Sequence, residues 1–487
     1  MTTVNKKQFA VNSFWKILEQ FAAKGISMVV QVVLARLLTA NDYGLLTLTA
    51  IFTGLSDILI DGGFGTALIR KEKVDEYDYS AVFSVSSSMS AFLYILLFFA
   101  APYVSAYYNE PQLTLVLRIV GLTFFIQAFT AVRTGIVNRN MQFRLLFVCN
   151  SVSSILSGVL GIIAAFFGLG VWALVIQRLS QQIILTIMLF VKVKWKVRWK
   201  FDAKRIKEML KFSMGVVGSS LLNYAGGSIY NLAIGKKYSV TDLGYYDKAE
   251  QLPRQFSLYT FGAMSSVLLP TISSCQSDLE RVKRIIRKVV VMTGFLIMPL
   301  MAGLALTGTE VIAIVFSEKW LPSVPMIPGI CLYYLATPFM LINVQIFFAL
   351  GKSGLRVKTE IIRLALMTVG LAVFGFVLNC SLAQLSIVSG VIALIVTLVT
   401  YFESSKMINY SVKEAIRDLI KPSTCTAAMA VCVYLVSGFV TSYGYWISFA
   451  IKAGVGVIVY AAASALIKSE GMSEVLSVLN RKKEKNV

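Results

Sequence analysis

Blocks of about twenty apolar residues recur from one end of this 487-residue chain to the other, and each is long enough to cross a bilayer core of about 30 Å as a helix. In hydrocarbon every backbone N–H and C=O needs a partner within the protein, so only helices and closed barrels span. A barrel would show alternating segments of roughly ten residues, and these blocks do not alternate. Charged residues make up 15% of the chain, against roughly 25% in a soluble domain. The expected fold is all-α: a polytopic transmembrane helix bundle of about fourteen helices. The spans fall near 13–36, 44–69, 79–101, 113–132, 145–167, 171–191, 212–235, 251–273, 289–307, 326–349, 361–379, 382–402, 423–441 and 445–467.

Basic residues set the orientation. Most of the 46 Lys and Arg fall in the two tails and the even-numbered loops of this arrangement. The positive-inside rule then puts both termini in the cytoplasm of a multi-pass plasma (inner) membrane protein. The start, MTTVNKKQ, is polar, so the first helix rather than a cleaved signal peptide is expected to target the chain. The net charge of +21 is thus a topology signal and implies no nucleic-acid partner. The longest basic link, VKVKWKVRWKFDAKRIKEMLK, begins with alternating apolar and cationic residues and continues as a short amphipathic helix. Both halves suit a solvated linker or a surface of anionic membrane lipids.

The chain repeats itself at an offset of 200 residues. ARLLTANDYGL at 35–45 aligns with GKKYSVTDLGY at 235–245, matching Arg36 with Lys236, Asp42 with Asp242 and Gly44 with Gly244. Both copies start on the same side, so the repeat is parallel, an arrangement that puts a transporter's substrate between two halves near the midplane. The expected organisation is an N-lobe over 1–191, a basic cytoplasmic linker over 192–211 and a C-lobe over 212–403. An appended helix pair and a basic tail over 404–487 complete it.

Absences narrow the chemistry. The sequence has no histidine, the usual proton shuttle and metal ligand. Its six cysteines are scattered without a CxxC pair, and no phosphate-cradling GxxxxGK[ST] loop occurs. No cofactor and no metal site is expected, and energy would come from a proton or sodium gradient, the membrane potential or the substrate gradient. The longest outer loop, near 308–325, is too short to carry a catalytic domain, so the chain reads as no enzyme.

A charge at the bilayer centre costs roughly 2.5–3.5 kcal/mol on the insertion scale, so it usually faces a cavity or a partner. Lys16, Glu19 and Lys24 lie in the first span, Lys24 deepest. Asp57 and Asp61 are four apart on one face of the second helix, and with Glu19 and Glu250 they are the candidates for ion coupling or salt bridges. Gly62 and its neighbouring glycines suit close helix packing. In the eighth span, Asp247, Lys248, Glu250 and Arg254 surround Pro253, which suggests an irregular, cavity-lining helix start. Arg178 shares the sixth span with Gln177, Gln181 and Gln182, whereas Arg118 and Lys452 are explained by snorkelling. The sum is a cationic cavity that suits an anionic headgroup. In the outer-face turns, Gly44 and Gly244 suit positive φ, and Asp42 and Asp242 suit helix N-caps.

LARLLTANDYGLLTLTAIFTGLSDILIDGGFGTALIRK at 34–71 and LGYYDKAEQLPRQF at 243–256 resemble the opening signatures of both lobes of Wzx-type polysaccharide exporters. These lipid-linked oligosaccharide flippases belong to the multidrug/oligosaccharidyl-lipid/polysaccharide superfamily, and the colanic-acid or teichuronic-acid branch is the nearest. The resemblance implies two six-helix lobes forming a V-shaped cavity. It implies flipping of a polyprenyl-diphosphate-linked oligosaccharide repeat unit by alternating access, for exopolysaccharide, capsule or O-antigen (lipopolysaccharide) biosynthesis. Cationic lumen residues meet the diphosphate, and on this chain those would be Lys24, Arg178 and Arg254. Partners would include a polymerase and other glycan assembly proteins. Two other readings compete: an ion-coupled multidrug exporter of the same fold, resting on Asp57 and Asp61, and a non-transporting scaffold of a glycan assembly complex.

Overall fold

A computed structural model of the chain describes residues 25–62, 74–195, 203–440 and 443–473, and contains no strand among them. Eleven of its helices are long and apolar enough to cross a membrane, and a shorter apolar helix, α1 (Gly25–Leu37), holds the described end of the first expected span. Two further long helices, α8 (Ala203–Lys237) and α9 (Val240–Ser274), carry the polar residues that interrupt the seventh and eighth blocks. Several helices overrun their apolar blocks on the basic side. α10 (Leu279–Leu306) starts ahead of 289, and α15 (Val412–Val440) starts ahead of 423. Side-chain caps, rather than the edge of the apolar run, fix these starts: Asp278 accepts from the Arg281 N–H and the Ser411 hydroxyl accepts from the Glu414 N–H.

The chain divides into two compact units, Met1–Gly244 and Tyr245–Val487. The first holds α1, α2 (Ala40–Asp61), α3 (Glu76–Tyr108), α4 (Gln112–Gly121), α5 (Thr123–Arg139), α6 (Phe143–Phe166), α7 (Val171–Lys192) and α8. α6 and α7 form its tightest antiparallel pair, and α2 packs against α8, α3, α5 and α7.

The two repeat-related turns meet within this unit. A Cβ on Gly44 would lie 1.8 Å from the Val240 carbonyl oxygen, and one on Gly244 would lie 1.9 Å from that of Ala40. The two approaches map onto each other by the 200-residue offset, which also separates Thr241 from Asn41, whose side chains approach to 3.4 Å. Both glycines sit inside helices with ordinary negative φ, so the expected positive-φ turn is not what they provide. They are glycine because two backbones touch there. The aspartates differ from expectation as well. Thr39 is the N-cap of α2 and Asp42 is its third residue, which returns a hydrogen bond to the Thr39 N–H at 2.9 Å. Ser239 caps α9, its hydroxyl accepting from the Asp242 N–H at 2.9 Å and donating to the Asp242 carboxylate at 2.7 Å. Gly62 ends α2 at φ +54 as a left-handed C-cap, and its neighbouring glycines lie outside the described residues.

In the second unit, α9 runs unbroken through Pro253, against the expected irregular start. Its N-terminus, capped by Ser239, lies a dozen residues earlier. α10 continues into α11 (Gly308–Val315), then a 3₁₀ segment (Glu318–Met326), α12 (Ile327–Ala349), α13 (Ser353–Gly370, extended as a π-helix to Val377) and α14 (Leu382–Ile408). α12 and α14 pack most closely, because Gly329 and Gly390 leave room only for backbone against backbone.

The appended helices, α15 and α16 (Tyr445–Leu466), pair with each other and dock on α10 and α11. A buried ion pair fixes α16: Lys452 donates to Glu310 Oε1 at 2.5 Å, and the Ser448 hydroxyl donates to the same atom at 2.8 Å. Lys452 is 6% exposed, so snorkelling does not describe it; the carboxylate of Glu310 makes its burial tolerable.

Candidate functional site

Each unit carries one polar cluster inside its bundle. In the first, α2 presents Thr53 and Asp57 one turn apart on one face. Arg178 of α7 donates from Nη2 to the Thr53 hydroxyl at 2.7 Å, and its charge reaches Asp57. Tyr224 of α8 donates to the Ala50 carbonyl at 2.6 Å. Its hydroxyl occupies the place a Cβ on Gly54 would take, 2.0 Å away. Glycine at 54 thus lets α8 reach the polar face of α2. Asp61, a further turn along, is exposed. A guanidinium has five donors; one of Arg178's goes to the Thr53 hydroxyl and Asp57 lies within range of its charge, so the group has further donors to offer an anionic ligand.

The glutamines beside Arg178 do not join it. Gln181 donates to Ser154 at 3.2 Å and Gln182 to Gln127 at 2.7 Å, binding α7 to α6 and α5 instead. Lys16, Glu19 and Lys24 lie outside the described residues.

In the second unit, Glu250 of α9 accepts from the Tyr334 hydroxyl of α12, and Arg254 stands 3.8 Å from Glu250 on the next turn. The neighbouring Tyr333 accepts from Arg363 of α13 at 3.3 Å. Arg363 in turn holds Glu360, whose other oxygen lies 3.6 Å from Arg356. Two adjacent tyrosines, ring centroids 5.1 Å apart, therefore join a Glu250–Arg254 pair to a Glu360–Arg363 pair. Glu360 and Arg363 are buried, whereas the Arg254 side chain is 42% exposed. Arg254 is thus the cation of this cluster that a ligand can reach. The cation beside Pro253 has another use. Lys248 is buried at 1% exposure, hydrogen-bonded to Gln251 at 2.9 Å and lying 6.0 Å from the Trp320 ring centre.

The turn residues are architectural in geometry. Arg36 is exposed at the end of α1. Lys236 stacks 4.2 Å over Tyr107 and donates to that residue's carbonyl, tying α8 to α3. Sequence reasoning missed Glu360, Arg363 and the tyrosine pair because Arg363 stood at the edge of its span and Glu360 just outside it. The i, i+3 spacing of Glu360 and Arg363 was the available signal. It also missed Arg133 of α5, wholly buried, with its guanidinium 4.0 Å from the Phe190 ring centre and 5.3 Å from that of Trp195. Among the described residues no group of three or more His, Cys, Asp or Glu could hold a metal ion.

A family model described as "Polysaccharide biosynthesis protein" matches residues 33–325. The teichuronic acid biosynthesis protein TuaB of Bacillus subtilis is 24% identical over 88% of this chain and 89% of its own length. Among solved structures, the lipid II flippase MurJ in an inward closed conformation superposes with a TM-score of 0.75 at 18% identity, covering 93% of this chain and 98% of that one. An inward-facing multidrug resistance MATE family transporter of the MOP superfamily gives 0.65 at 14% identity, covering 81% and 98%. At these identities the structures establish the fold, which is that of the multidrug/oligosaccharidyl-lipid/polysaccharide superfamily.

Proposed function

The chain belongs to the polysaccharide biosynthesis protein family, and on that premise we propose that it flips a polyprenyl-diphosphate-linked oligosaccharide to the outer leaflet for surface polysaccharide assembly. The observation that carries the reading is a pair of arginines, one in each unit, set among membrane-spanning helices: Arg178 hydrogen-bonded to Thr53 with Asp57 in range of its charge, and Arg254, its side chain 42% exposed, beside Glu250. A guanidinium matches phosphate oxygens bidentately and cannot lose its proton. The relation to TuaB supports a glycan-linked cargo, and the MurJ-like fold supports movement of a lipid-linked one.

In this reading Lys24 joins the two arginines in meeting the diphosphate, and Asp57 with Asp61 takes up a coupling proton or sodium ion. The lobes are 1–191 and 212–403, the basic linker is 192–211, and 404–487 is appended. Both termini and the basic loops lie in the cytoplasm, as the positive-inside rule requires.

The test is translocation of a fluorescent polyprenyl-diphosphate oligosaccharide in vesicles holding the purified protein. Wild type is expected to move it, and Arg178→Ala with Arg254→Ala to lose that movement while remaining folded. No movement by wild type under any ion gradient would overturn the reading. Drug efflux by the same vesicles would then favour the exporter.

A further inference from the structure

We propose that the second unit binds a phosphate-bearing lipid headgroup in a cavity where the appended helix pair meets α10. The cavity holds about 570 Å³, within the usual 300–1,000 Å³ of small-ligand sites. It lies at the basic-loop ends of α10 and α15 and under the segment that follows α16. None of its lining residues belongs to the Glu250–Arg254 cluster, which α9 and α12 supply.

The charge inventory points to an anion. Four cations line the cavity, Lys283, Arg287, Arg417 and Lys421, against Glu414, Asp418 and Glu470. All three carboxylates are already engaged. Lys283 meets Glu414 at 3.1 Å, while Arg287 meets Asp418 at 2.8 Å and Glu470 at 3.3 Å. The Tyr410 hydroxyl adds a donor to Asp418 at 2.7 Å. Lys421 donates to a backbone carbonyl, that of Lys468 at 3.5 Å. Arg417 is exposed to the cavity on the same helix face region, one turn before Lys421. An adjoining cavity of about 230 Å³ shares Arg287 and Glu470 and brings in Arg284 and Lys288. Six cations thus gather around three acids.

Lipid rather than a free anion follows from the surroundings. Ile416 and Ile420, on the turn beside Arg417 and Lys421, are 56% and 51% exposed. Val291 and Pro422 form the apolar part of the cavity lining. A phosphate held by Arg417 and Lys421 would leave its acyl or prenyl chains on this apolar helix surface. The Lys283–Glu414 pair, with side chains 23% and 46% exposed, contributes little by itself, about 0–1 kcal/mol, so Lys283 can turn toward the phosphate at small cost while Arg287 stays on Asp418, whose side chain is 9% exposed. Placing the site on the cytoplasmic side rests on the topology proposed above; its chemistry does not.

Native mass spectrometry of the full-length protein would test this with three probes: phosphatidylglycerol, polyprenyl diphosphate and phosphatidylcholine. Wild type is expected to retain an anionic lipid in preference to phosphatidylcholine. Arg417→Gln with Lys421→Gln should weaken retention about tenfold, the scale of one or two lost charge-assisted contacts. Arg417→Lys with Lys421→Arg should keep it, which separates lost charge from lost folding. Preference for phosphatidylglycerol would identify a resident membrane lipid, and preference for polyprenyl diphosphate would identify a docking point for the cargo lipid. Equal retention of all three probes, or no change in the Gln variant, would overturn the proposal. The assay requires no transport, so its outcome is independent of the translocation test.

Discussion

The two copies of the repeat begin alike and then diverge. Thr39 with Asp42 and Ser239 with Asp242 open their helices in the same way, and Gly44 and Gly244 follow at the same register. About three and a half turns beyond Gly44, Asp57 and then Asp61 in the first copy stand where the second has Ser257 and Phe261. Ser257 is wholly buried and donates to the Tyr334 carbonyl at 2.9 Å. The first unit keeps its arginine on a hydroxyl, whereas the second surrounds its arginines with two glutamates and two tyrosines. Duplication preserved what the backbone needs in order to turn and pack. It left the membrane-embedded charges free to differ, giving one lightly compensated cation and one bonded network.

This contrast sets an order of effects. Glu360→Ala should be the most damaging change, because it leaves Arg363 buried without its carboxylate; a loss of about 3–5 kcal/mol is expected, read as a large drop in detergent thermal stability. Lys452→Met, which strands Glu310, should behave likewise, and Lys452→Met with Glu310→Leu should recover most of the loss, since removing both charges is often neutral. Recovery failing in the double variant would show that the pair does more than anchor α16.

Gly44→Ala and Gly244→Ala come next. Each forces one backbone off another, at a cost of about 1–3 kcal/mol or somewhat more, and the two should match if the turns are equivalent. A large inequality between them, measured by thermal unfolding, would break the symmetry. Arg178→Ala should cost only about 1 kcal/mol of stability, the value of a hydrogen bond to a neutral group. Its expected effect is on translocation, which sharpens the contrast with Glu360→Ala. Smallest of all is Lys283→Ala, which removes a half-exposed ion pair and should shift stability by about 0–1 kcal/mol.

The helical fold was legible because its cause is local. A run of apolar residues long enough to span must be a helix, whatever its neighbours, and the described helices coincide with the expected spans apart from their capped extensions. The repeat was legible too, since ARLLTANDYGL and GKKYSVTDLGY align without a gap. The cause of the glycines was not. Positive φ and close approach leave the same letter in a sequence, and only the 1.8 Å and 1.9 Å approaches to Val240 and Ala40 tell them apart. The candidate sites were half legible. Arg178 and Arg254 stood out as charges inside apolar blocks, while Glu360 and Arg363 hid at a span edge and Tyr333 and Tyr334 carry no charge at all.

Sequence by itself determined that this chain is a duplicated membrane bundle, and it identified the blocks that cross and the turns that match. Hydrophobic length and register are properties of a segment alone. Only tertiary structure decided which charges are compensated: Lys452 by Glu310, Arg363 by Glu360, and Arg178 by a hydrogen bond to Thr53 with Asp57 within range of its charge. Helix rotation sets those partnerships, and rotation is fixed by packing between segments far apart in the chain.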